Sequence, residues 1–293
     1  MTAVKEKAYA KINLHLDVVK KRDDGFHEIK TVMHSVSLYD SITVILSPSR
    51  DLSVKMEILG EKYLPLDSKN LAYRAAKLFL ERLGATASIE IKLVKRIPIS
   101  AGLAGGSSDA AAALRALNKL YKRPFTTKAL MKMGAELGSD VPYCIVGRTA
   151  LCEGRGERIT SLNCSLSLNV VIASAGEHVS TPEAYGDLDN EYNNFIEYDI
   201  SLGNKHLGAL MDNLNGNERL SGELYNVFEE TVFKKCPKSK KLKEEILSLG
   251  ASVAMMSGSG PSVFGIFETE EEAKLVKAKL IEKGYRSYFA RTV

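Results

Sequence analysis

Residues 8–19 alternate. Ala10, Ile12, Leu14, Leu16 and Val18 fall on one face, and Lys11, Asn13, His15 and Asp17 on the other. That period predicts a half-buried strand. The same alternation recurs at 35–46 and 52–58, and again at Ile89, Ile91 and Leu93. A helix is predicted over 69–83, opened by Asn70, with Leu71, Ala75, Leu78 and Leu83 turned inward and Gly84 as its stop. After Pro98 the pattern changes from two to 3.6. Ala110, Ala113, Leu114, Leu117, Leu120 and Tyr121 share one helical face, and Ser107, Ser108 and Asp109 are helix-start residues. Thr126 and Thr127 cap a further helix ending at Gly138.

In the second half the pattern is less even. Residues 143–152 read as a strand, and Gly154-Arg155-Gly156 as a flexible turn and a domain boundary. LNVVIAS at 168–174 is an apolar strand. Thr181 is read as an N-cap with Pro182 at the first helical position. Residues 186–200 have no apolar period and read as a loop, followed by two or three helices over 203–249. Strands at 251–256, 262–267 and 285–291 and a helix at 270–283 close the chain. A hairpin with a helix packed on it suits a ferredoxin-like domain.

A chain of 293 residues is long enough for two domains. Hydrophobic residues at 45% and charged residues at 26% are ordinary for a globular protein. A net charge of +4 suits an anionic small molecule and is too slight to argue for nucleic acid. Cys144, Cys152, Cys164 and Cys236 form no C-x-x-C pair and stand apart from histidine, so reduced thiols are expected rather than zinc. With no leader-like or membrane-length apolar run, the expectation is a cytoplasmic protein without a membrane partner.

The chemistry concentrates around the segment from Pro98 to Ser108. A strand, a glycine turn at Gly102, Gly105 and Gly106, and a helix start present unpaired N–H groups and a positive dipole end to an anion. It lacks Gly-Lys-Ser/Thr and G-x-G-x-x-G. A plain strand-to-helix turn accounts for it as well. Lys11 among apolar strand neighbours, Asp140 before Val141-Pro142, and Phe26-His27 after the Asp24-Gly25 turn are further candidates. Each also has a purely structural account: a solvated lysine, a turn-making acid, a loop anchor.

These segments occur together and in order. P-x-x-x-G-L-x-G-G-S-S at 98–108, A-K-I-N-L at 10–14, G-x-D-V-P at 138–142 and S-G-S-G-P at 257–261 resemble the motifs of the GHMP kinases. The likeness spans nearly the whole chain. It is strongest to the branch that phosphorylates CDP-methylerythritol in non-mevalonate isoprenoid synthesis. The resemblance implies an α+β, two-domain fold: a ribosomal protein S5-like first domain over 1–155 and a ferredoxin-like second domain over 156–293, with the active site between them. It implies ATP held by Pro98, Ile99, Ser100, Ala101, Gly102, Leu103, Ala104, Gly105, Gly106, Ser107 and Ser108, bordered by Asn70 and Lys95. It implies Mg²⁺ near Ser107, and Lys11 and Asp140 converging on the reacting hydroxyl. Asn13, Phe26, His27, Thr181 and Tyr185 would hold the CDP-alcohol, with Phe26 and Tyr185 on either side of cytosine. Phe26 replaces a more usual tyrosine, and Ser100, Ala101 and Ala104 stand where relatives often have glycine. The alternatives are another small-molecule kinase of the superfamily and a catalytically silent nucleotide-binding protein on this scaffold.

Overall fold

The computed structural model describes residues 2–60, 63–164, 166–192, 200–216, 220 and 222–293. In chain order the first half runs β1 (Thr2–Lys21), β2 (His27–Pro48), β3 (Ser53–Leu59), α1 (Leu71–Leu83), β4 (Ala87–Val94), α2 (Gly105–Leu120), α3 (Thr127–Leu137) and α4 (Val141–Val146). It continues with β5 (Thr149–Gly154), β6 (Arg158–Ser161), β7 (Asn169–Ser174), α5 (Thr181–Glu191), α6 (Ser201–Gly216) and β8 (Tyr225–Asn226). Then come α7 (Phe228–Lys235), α8 (Pro237–Ser248), β9 (Val253–Met256), β10 (Val263–Phe267), α9 (Glu270–Glu282) and β11 (Arg286–Arg291).

Two compact units emerge. One comprises Met1–Ala10, Tyr39–Ile99 and Ala104–Gly147; the other comprises Lys11–Leu38, Ser100–Leu103 and Arg148–Val293. The N-terminal half of the chain thus contributes to both, because β1 and β2 are long enough to serve each.

In the first unit β3 pairs parallel with β4, and β4 pairs antiparallel with the far end of β2, Val44 opposite Ile91. Helices α1 to α4 cover this sheet around a core that includes Ile42, Phe79, Leu80, Ile89, Leu114 and Val141. Alanines at 72, 75 and 76 on α1 and at 110–113 and 116 on α2 are all buried. Such small side chains let helix backbones approach closely at interior packing density. The single apolar face expected for α2 is therefore too narrow, since Asp109 and Asn118 are buried too.

Local chemistry explains the helix ends. Asn70 accepts a hydrogen bond from Ala72 N at 2.9 Å and caps α1, and Gly84 closes it in the left-handed region at φ 67. Thr126 caps α3 through Ala129 N. Helix α2 begins at Gly105, so Ser107, Ser108 and Asp109 lie within its first turns rather than before them. The strand expected over 143–152 divides into α4 and β5. Pro142 sits in the first turn of α4, where its missing N–H costs no helical bond.

In the second unit β5 pairs with the near end of β2 and with β6, and β8 pairs parallel with β1 at His15 and Leu16. A second sheet has the order β11-β7-β10-β9, all antiparallel, with α8 and α9 burying Leu242, Ile246, Ala273, Val276 and Leu280 against it. That is the ferredoxin-like βαββαβ order, with α5 to α7 inserted after the first strand. Ser180, not Thr181, caps α5: Ser180 and Glu183 form a reciprocal capping box. The loop expected over 186–200 begins only after this helix, and residues 193–199 lie outside the described residues. The helix escaped the pattern because its charges are paired rather than periodic: Asp187 with Lys235 at 2.7 Å and Glu191 with Lys234 at 2.7 Å.

Candidate active site

The polar face of β1 is buried. Lys11, Asn13, His15 and Asp17 are each 3% exposed or less. Lys11 Nζ donates to Asn13 Oδ1 at 2.7 Å and to Gly102 O at 2.6 Å. Asn13 Oδ1 also accepts from Gly258 N at 2.8 Å, while its Nδ2 donates to Thr31 Oγ1 at 2.8 Å. Thr31 in turn donates to His15 O at 2.6 Å. Asn13 thereby holds Lys11 and Gly258 in register.

The glycine turn is fixed by backbone contact. Lys11 N donates to Leu103 O at 3.2 Å, and Ser257 Oγ donates to Gly102 O at 3.0 Å. Gly102 has φ 71, and a Cβ there would lie 1.9 Å from Ser257 O. Gly258 has φ 59, and its Cβ would lie 2.8 Å from Gly102 O and 3.0 Å from Lys11 Nζ. Only glycine fits at either place. Ser100 and Ala104 also occupy the left-handed region, at φ 51 and φ 56. These are two of the three positions where glycine was the expected residue, and a side chain there costs roughly 1–2 kcal/mol. Ala101 and Leu103 are buried, and Ile99, Ser100 and Gly106 are exposed.

Beyond the turn, the first N–H groups of α2 have no acceptor within the helix. Ser108 N already bonds Ala104 O at 2.8 Å, and Ser108 Oγ donates to Gly105 O at 3.0 Å. Ser108 is thus folded back into the helix. Ser107 is half-buried, its Oγ 4.0 Å from the position of a Cβ on Gly138. Of the two serines, Ser107 is the one whose hydroxyl is not turned onto its own helix.

Lys95 was expected to border the nucleotide. Its amine is enclosed, donating to Asp40 Oδ2 at 2.5 Å and Asp109 Oδ2 at 2.7 Å. Asp40 Oδ1 accepts from Arg96 N at 2.5 Å and Ile97 N at 2.9 Å. Burial opposes the charge on Lys95, but Asp109 and Asp40 outweigh it and hold its pKa above the ordinary lysine value. Burial, only partly offset by Lys95, pushes Asp109 well above the usual carboxylate range. Its Oδ1 is buried with no hydrogen-bond partner among the described residues. Gly105 is packed on this triad, since a Cβ there would stand 3.0 Å from Lys95 Nζ. The trio ties residues 95–97, on one side of the glycine loop, to α2 on the other. Asn70, likewise expected at the nucleotide, uses its side chain for the α1 cap and for Pro65 O at 3.0 Å.

Asp140 is half-buried at the head of α4, in right-handed backbone, and makes no side-chain capping bond. Its carbonyl accepts from Cys144 N at 3.0 Å, which anchors the backbone at the head of α4.

The third cluster is aromatic. His27 Nε2 lies 2.7 Å from Asp189 Oδ1, and its ring stacks on Tyr185 with centroids 4.6 Å apart and planes at 30°. Tyr185 also meets Phe228 edge-on at 4.8 Å. Phe26 is 49% exposed, with the Arg155 guanidinium 4.6 Å from its ring centroid. Thr181 Oγ1 lies 3.1 Å from Ser259 Oγ, a contact open to it because Ser180 performs the capping. Sequence reasoning missed Thr31, Asp40, Asp109, Arg155, Asp189 and Ser257. The S-G-S-G-P segment pointed to the last of these, but the others carry no local signal.

Residues 70–148 match the family model for the GHMP kinases N terminal domain, and residues 201–286 match that for the GHMP kinases C terminal. The 4-diphosphocytidyl-2-C-methyl-D-erythritol kinase of Clostridium kluyveri is 38% identical over 98% of this chain and 99% of its own. That of Macrococcus caseolyticus is 42% identical over 92% and 93%. The chain belongs to the 4-diphosphocytidyl-2-C-methyl-D-erythritol kinase family. A crystal structure of a 4-(cytidine 5'-diphospho)-2C-methyl-D-erythritol kinase superposes with a TM-score of 0.81 at 32% identity, covering 99% of both chains. Homoserine kinase from Cytophaga hutchinsonii, at TM-score 0.78 and 22% identity, shares the fold. Because the match to the 4-diphosphocytidyl-2-C-methyl-D-erythritol kinase family runs end to end, all three clusters lie within it. The two GHMP models fall on either side of the Gly154-Arg155-Gly156 turn.

Proposed function

We propose that this chain transfers the γ-phosphoryl group of ATP to the 2-hydroxyl of 4-diphosphocytidyl-2-C-methyl-D-erythritol, a step of non-mevalonate isoprenoid synthesis. The observation that carries this reading is the buried Lys11 ammonium, held by Asn13 and by the carbonyl of Gly102 in the glycine loop. A fixed positive charge at that loop stabilises the negative charge that builds up during phosphoryl transfer. Asp140 accepts, or orients, the proton of the attacking hydroxyl. The N–H groups at the start of α2 and the loop from Pro98 to Ser108 cradle the phosphates. Phe26, His27 and Tyr185 provide the aromatic surface for cytosine, with Thr181 beside them.

We place Mg²⁺ with the nucleotide. Among the described residues no group of three or more His, Cys, Asp or Glu side chains could hold a metal alone. A cation ligated mainly by phosphate oxygens, with the Ser107 hydroxyl from the protein, suits that donor set. Bound there, it would neutralise phosphate charge. We also place the domain boundary at 155/156 and the protein in the cytoplasm, in keeping with four cysteines outside any disulfide. No helix among the described residues is long and apolar enough to cross a membrane.

Turnover of a substrate panel with ATP tests the reading. The CDP-alcohol is expected to be phosphorylated in preference to homoserine and mevalonate. Lys11→Ala and Asp140→Asn should each lower kcat by roughly 10²–10³-fold with an unchanged circular dichroism spectrum. Preference for another alcohol, or full kcat in both variants, would refute it.

A further inference from the structure

The aromatic cluster contains a residue whose geometry exceeds a packing role. Tyr185 and Asp189 are four residues apart on α5 and so project from one helical face. His27, the first residue of β2, meets both, ring against ring at 4.6 Å and Nε2 against Asp189 Oδ1 at 2.7 Å. Lys21, the last residue of β1, donates to the other carboxylate oxygen, Oδ2, at 2.7 Å. Asp189 is 7% exposed, so this is an enclosed carboxylate bridging three segments of chain.

An ionised carboxylate only accepts hydrogen bonds. With Lys21 beside it Asp189 has a positive partner for its charge, and the proton of the 2.7 Å contact therefore belongs to His27 Nε2. That bond favours the Nε2-protonated tautomer and helps orient the plane of the imidazole. The same bond helps hold His27 stacked on Tyr185 at 30°.

We propose that Asp189 is a positioning residue for substrate: it fixes the His27 ring and tautomer so that His27 and Tyr185 stand as a preformed surface for the pyrimidine of a cytidine diphosphate. This rests on the assignment of Phe26, His27 and Tyr185 to the base. A surface ordered before binding costs less to order on binding. Loss of Asp189 therefore weakens the cytidine end of the substrate and leaves the nucleotide loop untouched.

The test uses the full chain with cytidine 5'-diphosphate as probe. Wild type, Asp189→Ala, Asp189→Asn and Lys21→Met are compared by calorimetric binding of CDP, by KM for the CDP-alcohol and for ATP, and by the ¹⁵N shifts of His27. Asp189→Ala should weaken CDP about tenfold or more, the scale of a lost charged hydrogen bond, and raise the KM for the CDP-alcohol in parallel. The KM for ATP should stay within about twofold, and the His27 shifts should move from the Nε2-protonated pattern towards a tautomer mixture. Asp189→Asn, which keeps an acceptor oxygen, should recover most of the affinity, and Lys21→Met should fall between. If Asp189→Ala is unstable, Lys21→Met serves in its place: an intermediate loss of CDP affinity with displaced His27 shifts supports the assignment, and no change in either overturns it. Unaltered His27 shifts with unaltered CDP affinity overturn the assignment, as does an equal rise in both KM values. A wild type that phosphorylates its alcohol yet does not bind CDP removes the base-binding reading and this inference with it, a result distinct from either.

Discussion

At the residue scale, Gly102 shows how little room the loop has. Its carbonyl is shared by the Lys11 ammonium and the Ser257 hydroxyl, and its Cα faces the Ser257 carbonyl with no space for a methyl group. Gly102→Ala must therefore push residues 257–258 away as well as adopt a left-handed φ. We expect a loss of about 2 kcal/mol or more in urea unfolding, and a fall in kcat because the Lys11 contact moves. The glycine was legible as a turn residue from the sequence, as was the lysine on its strand. The reason the glycine is obligatory was not, because the oxygen that excludes a side chain arrives from 155 residues away. For the same reason the contacts of the Asn13 amide with Lys11, Gly258 and Thr31 could not be read from the sequence.

At the scale of elements, the Asp40–Lys95–Asp109 triad fastens the end of β4 to the start of α2 across the glycine loop. Lys95→Met would leave two carboxylates buried side by side. Removing one partner of such a buried set costs about 3–5 kcal/mol, so we expect a lower midpoint in urea, and a raised KM for ATP as the loop loses its tie. Helix α2 itself was readable from the helical spacing of Ala110, Ala113, Leu114, Leu117 and Leu120. The triad was not, because three charged residues at 40, 95 and 109 share no period. Helix α5 teaches the converse. Its S-x-x-E capping box was present in the sequence, but Thr181-Pro182 drew the start one residue late, and paired charges hid its second half. Short elements resisted reading too. Strand β8 is two residues long, and its place is set by pairing with His15 and Leu16 rather than by its own pattern.

For the molecule as a whole, stability should depend on acid in a specific window. His34 is 3% exposed, and burial lowers its pKa to about 4. Burial, helped by the positive neighbours His206 and Lys30, lowers that of His15 to about 3. Both rings bind a proton more readily in the unfolded chain. Their contribution is therefore complete above the unfolded value of 6.5 and is lost as pH falls towards 4. Between pH 7 and 4.5, His34 alone should remove roughly 2–3 kcal/mol. Urea unfolding at the two pH values checks this, with His34→Gln expected to flatten the difference. The two-domain kinase fold was legible because four motifs occur in order along one chain. The composition of the compact units was not: strands β1 and β2 each run through both, and residues 100–103 group with a different unit from the residues on either side of them.

The grip on Lys11 also bears on how this sequence can change over time. Residues 11, 13, 102, 257 and 258 lie in three remote stretches of chain yet hold one another through a few oxygens. A replacement tolerated at one of them depends on what already stands at the others. Drift here should proceed by matched sets of changes, whereas the solvent-facing positions of a helix such as α9 are free to vary one at a time.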